Sequence, residues 1–170
     1  MLKKISLFFL VFIIISALGG LPGYGVEELG TGVPGEAYHN QKGLSHFKKG
    51  FYHFTPKHRA EEASQEYDRA IQEFKKALAI NPANAETHRN LARVYYVQKK
   101  FLQAAEHYKK LTELDPYDID SYVLTALAYA EAQRYAEARA QLEIAKNMTA
   151  DLRIIEKLDS YLEKLDQQMQ

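Results

Sequence analysis

A spacing of 34 residues, which recurs between residues of the same kind, constrains the fold of this chain more than any other feature. Pro82 and Pro116 are separated by this distance, and so are Tyr95 and Tyr129. A period of 34 residues is the length of a helical-hairpin repeat. Because one hairpin cannot bury its apolar face alone, such hairpins stack on their neighbours. The spacing therefore predicts an all-α chain of consecutive hairpins.

The repeats resemble those of the tetratricopeptide repeat family, in which aromatic, small and proline residues follow in a fixed order. In the middle repeat, 85–118, the corresponding positions hold His88, Ala92, Tyr95, Phe101, Ala104, Tyr108, Leu111 and Pro116. In the last repeat, 119–152, they hold Tyr122, Ala126, Tyr129, Tyr135, Ala138, Leu142, Ala145 and, in place of the closing proline, Ala150. The resemblance implies a right-handed superhelix of three such hairpins over residues 36–170, with a protein-binding concave face.

The first repeat, 36–84, is longer than the other two. Tyr52 and Tyr67 both fit the aromatic position that opens the second helix of a repeat, so about 15 extra residues lie inside this hairpin. Thr55 and Pro56 have the pattern of a helix N-cap followed by proline at the first helical position. We therefore expect an elongated hairpin with helices at about 37–53 and 56–80.

The last segment, 153–170, has the pattern of an amphipathic helix. Ile154, Ile155, Leu158, Tyr161, Leu162 and Leu165 form one apolar stripe. Such a helix can cap the open end of the last repeat, and the alternative is that it forms a homodimer.

The first 25 residues have the layout of an export signal. Lys3 and Lys4 precede an apolar run at 5–18, and small residues follow up to Gly25. The run is shorter than the roughly 20 residues of a spanning helix. Residues 1–25 are therefore predicted to be a signal peptide or an uncleaved N-terminal anchor. Either would place the rest in the periplasm or outside the cell, and an uncleaved segment would be the only membrane contact.

Glycine is concentrated just before the repeats. Seven of the nine glycines lie between Gly19 and Gly35, and none follows Gly50. Glycine disfavours helix, so residues 26–35 are predicted to be a flexible Gly/Pro tether, and the chain after Gly50 a series of helices.

The family resemblance implies that the first helix of each repeat lines the concave groove. The predicted groove residues are Asn40, Phe47, Arg89, Asn90, Arg93, Tyr96, Val123 and Leu127. A second candidate contact is the tip of the first hairpin, where Phe51, Tyr52 and Phe54 follow one another closely. The alternative for these rings is that they pack between the two long helices.

Several function classes are not supported by the sequence. The 22 basic and 22 acidic residues balance, which is unlike a nucleic-acid-binding protein, and there is no cysteine. His39, His46 and His53 share a helix face, but no acidic pair or cysteine completes a metal site. No catalytic residue, metal or cofactor is predicted.

The sequence therefore predicts a non-enzymatic adaptor outside the cytoplasm that binds a protein or peptide, helical or extended, in the concave groove. Its expected role is the assembly of an envelope or secreted complex. The alternative function is a self-associating structural protein, which would use the C-terminal helix or the aromatic hairpin tip.

Overall fold

The computed structural model describes residues 34–55 and 59–169, which fold into seven α-helices and one π-helical segment. The helices are α1 (Glu36–Lys48), α2 (Ala60–Ile80), α3 (Ala85–Val97), α4 (Phe101–Leu114), α5 (Ile119–Glu131), α6 (Tyr135–Asn147) and α7 (Leu152–Gln168). The π-helical segment, Lys49–Phe54, continues directly from α1. No strand occurs in this part of the chain, so the all-α prediction is confirmed.

Acidic and amide side chains begin three of the helices. Asn84 accepts a hydrogen bond from the backbone N–H of Thr87, and Asp118 and Asp151 cap α5 and α7 in a similar way. Such caps satisfy backbone donors that a helix leaves unpaired at its first turn. Lys99 and Gln133, which end the first helix of two successive hairpins, both have positive φ, at 58° and 59°. The repeat period thus extends to the backbone conformation of the turns.

The hairpins stack in chain order, because each helix packs on the next and α1 also touches α3. Alanines lie where helices approach each other: Ala92 and Ala104 are fully buried, and Ala138 occupies the corresponding position of the next hairpin with no exposed surface. Small side chains at these positions permit close helix packing. This arrangement confirms the predicted solenoid of hairpins.

The C-terminal helix covers the last hairpin. Leu158, Leu162 and Leu165 of α7 are buried in a cluster with Leu142 of α6. An ion pair between Lys146 and Asp159, at 2.5 Å, lies beside this cluster. The prediction of a capping helix is therefore confirmed, with its start at Leu152.

The first hairpin is elongated, as predicted, but its second arm begins later than expected. α2 has 21 residues, against 13 in α3, and it starts at Ala60 without a capping side chain. Thr55 is not its N-cap, because its hydroxyl donates to the Gly50 carbonyl and shares a hydrogen bond with Tyr67. Thr55 therefore closes the preceding π-helical segment, and residues 56–58 lie outside the described residues.

The predicted signal segment, 1–25, and most of the predicted tether, 26–35, lie outside the described residues, so their prediction stands as an expectation. Gly35 and Pro34 are exposed and precede α1. Within residues 34–55 and 59–169, no helix is both long enough and apolar enough to cross a membrane.

Candidate partner-binding site

Two of the predicted groove positions on α1 meet two on α3. The Asn90 amide Nδ2 lies 3.5 Å from the Asn40 side-chain oxygen, and the guanidinium of Arg93 lies 5.5 Å from the centre of the Phe47 ring. Asn90 and Phe47 are buried, whereas Arg93 is exposed. The first helices of two successive hairpins thus present one continuous surface of amide, aromatic and cationic groups.

A cleft of about 210 Å³ opens at one end of this surface. Its lining residues are Phe47, Phe51, Tyr52, Arg93, Tyr96, Val97 and Tyr108. We refer to it as the aromatic cleft. It joins three predicted groove residues with two predicted residues of the hairpin tip, which the sequence analysis treats as separate sites.

The exposed wall of the aromatic cleft comes from the π-helical segment. The Phe51 ring lies 5.8 Å from the Phe47 ring and 5.1 Å from the Tyr52 ring, measured between centroids. Tyr52 is 65% exposed and Phe51 39%, so their surfaces are available to a partner. π-Helical turns are rare and are frequent at functional sites, because they change the direction of the side chains that follow.

Two tyrosines and an arginine supply the polar groups of the cleft. Burial raises the pKa of the Tyr108 hydroxyl, although the nearby Arg93 and Arg89 oppose this effect. Burial also raises the pKa of Tyr96, and the carboxylate of Glu131 adds to that shift. Both phenols therefore remain protonated near neutral pH. Among the described residues, no carboxylate lies within ion-pair distance of Arg93.

Arg89, also predicted for the groove, points toward the next hairpin. Its guanidinium lies 3.4 Å from a carboxylate oxygen of Asp118, the residue that caps α5. The pair is partly exposed, and such pairs contribute little to stability, so Arg89 remains accessible to a partner.

Two predicted groove residues lie away from this surface. Val123 lines a different cleft, of about 470 Å³, between α5 and α7. The residues of this C-terminal cleft are Tyr117, Asp118, Ile119, Asp120, Val123, Ile154, Lys157, Leu158 and Tyr161. Leu127 is half-buried on α5 and lines neither cleft. The sequence pattern did not separate them from the groove because it leaves out the position of α7.

Phe54 is also separated from its neighbours at the hairpin tip. Its ring is half-buried against the main core, and the Arg59 guanidinium lies 4.9 Å from its centre. The tip rings therefore divide between the two alternatives, since Phe54 packs between the arms whereas Phe51 and Tyr52 face the cleft.

Two buried carboxylates in the first hairpin are absent from the sequence-based site. Glu66 accepts from His46 and Lys49, at 2.6 and 3.0 Å, and Glu73 accepts a hydrogen bond from His39 at 2.6 Å. Arg69 pairs with Glu66, and Lys42 and Lys76 pair with Glu73. The signal that could have found them is the seven-residue spacing of both the histidines and the glutamates.

These contacts define the role of the histidines. Burial raises the pKa of Glu73, but hydrogen bonds from His39, Lys76 and Lys42 outweigh it and lower the pKa to about 2. Glu66 is likewise buried, and contacts with His46 and Lys49 leave its pKa below the usual value. The histidines thus belong to ion pairs between the arms. No group of three or more potential metal ligands occurs in residues 34–55 and 59–169.

Family models match the centre of the chain. Residues 60–99 match a model described as a TPR repeat, and residues 85–118 match one described as a tetratricopeptide repeat. The matches together span α2, α3 and α4, and the chain therefore contains tetratricopeptide repeats, as the resemblance implied. No curated protein sequence matches the chain.

Three solved structures illustrate the similarity of fold. The first TPR of Spaghetti (RPAP3), bound to an HSP90 peptide, is 23% identical with a TM-score of 0.53, covering 76% of this chain and 94% of that one. The second TPR domain of human RPAP3, in complex with an HSP70 peptide, is 17% identical with a TM-score of 0.55, covering 78% and 98%. The type III secretion translocator chaperone SycD of Yersinia enterocolitica is 14% identical with a TM-score of 0.57, covering 81% and 89%. These similarities support the tetratricopeptide fold.

Proposed function

We propose that this tetratricopeptide-repeat protein is a non-enzymatic adaptor, which binds a peptide or helical segment of a partner protein on the surface shared by α1 and α3. The observation that carries the proposal is the meeting of Asn40 with Asn90 and of Phe47 with Arg93 across two hairpins. Amide, aromatic and guanidinium groups are typical of recognition surfaces. Two solved structures of similar fold are described as peptide complexes, which supports the same use of the fold.

The proposal is tested by site-specific photo-crosslinking in cells that produce the full chain. A photoreactive amino acid at Asn40, which is half-buried on the proposed surface, should crosslink to a defined partner. The same group at Gln103, an exposed position on α4, is the matched control. The Arg93→Ala substitution should reduce the Asn40 crosslink. Equal crosslinking from both positions, or none from Asn40, would contradict the proposal.

We also propose that the adaptor acts outside the cytoplasm, in the assembly of an envelope or secreted complex. The support is the sequence of residues 1–25 alone, with its two lysines and apolar run. N-terminal sequencing of the protein from envelope and secreted fractions tests the compartment. A chain that is found there, cleaved near Gly19 or Gly25 or still anchored, agrees with the proposal, and a chain confined to the cytosol contradicts it.

The alternative proposal, a self-associating structural protein, is favoured by the exposed apolar side of α7. Ile154 and Tyr161 are 37% and 38% exposed beside the C-terminal cleft, and Tyr117 is 87% exposed. Light scattering on the full chain tests this alternative. A dimer that Tyr161→Asp dissociates would favour it, whereas a monomer at all concentrations would contradict it.

A further inference from the structure

The first hairpin contains a seven-residue sequence unit twice on each arm. On the first arm the pattern His-x-x-Lys-Gly occurs at 39–43 and again at 46–50. On the second arm the pattern Glu, aromatic, x, basic, Ala occurs at 66–70 and again at 73–77. Seven residues are about two helical turns, so each copy presents the same side chains on the same face.

The duplicated sequence makes duplicated contacts. The inner unit pairs His39, Lys42 and Gly43 with Glu73, Phe74 and Lys76. The outer unit pairs His46, Lys49 and Gly50 with Glu66, Tyr67 and Arg69. The outer unit therefore extends the hairpin without changing the way in which its two arms pack.

Glycine sets the close approach of the arms in both units. A Cβ atom on Gly43 would lie 2.8 Å from the Phe74 ring, and one on Gly50 would lie 2.7 Å from the Tyr67 ring. These distances are shorter than van der Waals contact, so a ring of the second arm occupies the space that a side chain on the first would need. The outer unit is thus packed as closely as the inner one, and it holds the segment that follows in a defined place.

The segment that follows the outer unit is the wall of the aromatic cleft. Phe51 and Tyr52 come directly after Gly50, and they line the cleft together with Val97, the last residue of α3. Because the other first helices have 13 residues, an arm of that length would end at Lys48, before these rings. The outer unit is therefore what carries aromatic side chains to the end of α3.

The dimensions and charge of the cleft indicate what it binds. A volume of about 210 Å³ is below the range of about 300–1,000 Å³ for small-molecule sites, and it suits one large side chain. Its walls are aromatic, and Arg93 lies at the cleft with no carboxylate partner among the described residues. A guanidinium in this position is complementary to a carboxylate of the partner.

We propose that the outer unit of the first hairpin builds a specificity cleft, which takes one bulky apolar side chain of the partner while Arg93 binds an acidic residue beside it. The proposal rests on the proposed function, because it assigns a sequence preference to the same surface. It distinguishes this hairpin from one of ordinary length, which would bind along α1 and α3 without such an anchor.

Selection from a phage-displayed random peptide library on the full chain tests the proposal. We expect enriched peptides to carry Phe, Tyr, Trp or Leu next to Asp or Glu. The Phe51→Ser, Tyr52→Ser double variant should bind these peptides about tenfold more weakly or worse, since central aromatic contacts dominate such affinities. Arg93→Gln should weaken binding and relax the preference for an acidic neighbour.

The matched control is Tyr38→Ser, because Tyr38 is 51% exposed on the same arm but outside the cleft. Its binding should equal that of the unmodified chain. Circular dichroism checks the fold of each variant, and Tyr52→Ser alone serves if the double variant unfolds. Enriched peptides that need Arg89 yet bind the double variant normally would overturn the specificity cleft and leave the proposed function intact. If no peptide is enriched, both fall.

Discussion

His88 and His107 face each other across the middle hairpin, with their Nδ1 atoms 3.0 Å apart. The other ring nitrogen of His88 lies 2.9 Å from the Pro82 carbonyl, so it donates there, and Tyr95 stacks on His107. Burial lowers the pKa of His107 to about 4, and the positive charges of His88, Lys75 and Lys110 contribute. One proton is thus shared where two would repel each other.

This pair predicts a loss of stability in mild acid. Because the folded pKa of about 4 is below the ordinary 6.5, the stabilising effect is complete above pH 6.5 and is lost as the pH falls toward 4. Between pH 7 and pH 5 the loss should be about 1 kcal/mol after allowance for solvent screening. Urea unfolding measures it. His107→Phe, which keeps a ring beside Tyr95, should remove most of the pH dependence, and an unchanged dependence would contradict the assignment.

Glu73 predicts a second loss of stability at lower pH. Its folded pKa of about 2 is below the ordinary 4.5, so its contribution is present above pH 4.5 and is lost as the pH falls toward 2. Glu73→Gln should reduce the loss of unfolding free energy between pH 5 and pH 3 by about 1 kcal/mol. Glu113→Gln is the control, because that carboxylate is exposed and pairs only with Lys110. Equal effects of the two substitutions would contradict the role of the buried pair.

Gly43→Ala tests the close approach of the two arms. Alanine favours helix by about 1 kcal/mol over glycine, but here its Cβ would lie 2.8 Å from the Phe74 ring. Overpacking costs about 1–3 kcal/mol, so we expect a net destabilisation of about 1 kcal/mol in urea unfolding. Gly35→Ala, where nothing lies within 4 Å, should have no such effect. A more stable Gly43→Ala variant would show that the arms can separate at no cost.

Tyr95→Ala tests the stacking of the hairpins. The Tyr95 ring is 8% exposed and stacks on His107 at 5.7 Å, so its removal leaves a cavity between α3 and α4. We expect a loss of about 3–5 kcal/mol, as for other large-to-small core changes. Tyr117→Ala, at a side chain that is 87% exposed, should cost little. Thermal unfolding compares the two, and similar melting temperatures would contradict the packing.

The sequence predicted the fold well because the fold depends on local spacing. The 34-residue period contains the alanines at helix crossings, the rings between hairpins and the turns, and each helix packs mainly on its neighbours in the chain. For the same reason, the apolar stripe of the last segment was enough to predict α7 as a cap.

The site was predicted less completely, because it depends on how far one hairpin extends. Phe47, Arg93 and Tyr96 were placed in the groove, and Phe51 and Tyr52 at a separate tip. Their union in one cleft depends on the length of the first arm and on the π-helical segment, which no periodicity predicts. Val123 was misplaced because the position of α7 is a tertiary property. Thr55 was misread because its hydroxyl bonds backward to Gly50 instead of forward.

Hydrogen exchange on the full chain, alone and with the partner identified by crosslinking, tests the central claim most directly. The account predicts added protection of the backbone amides at 40–54 and 90–97, with little change in α4. Protection confined to α4 or α7, with residues 40–54 and 90–97 unchanged, would contradict a partner-binding surface on α1 and α3.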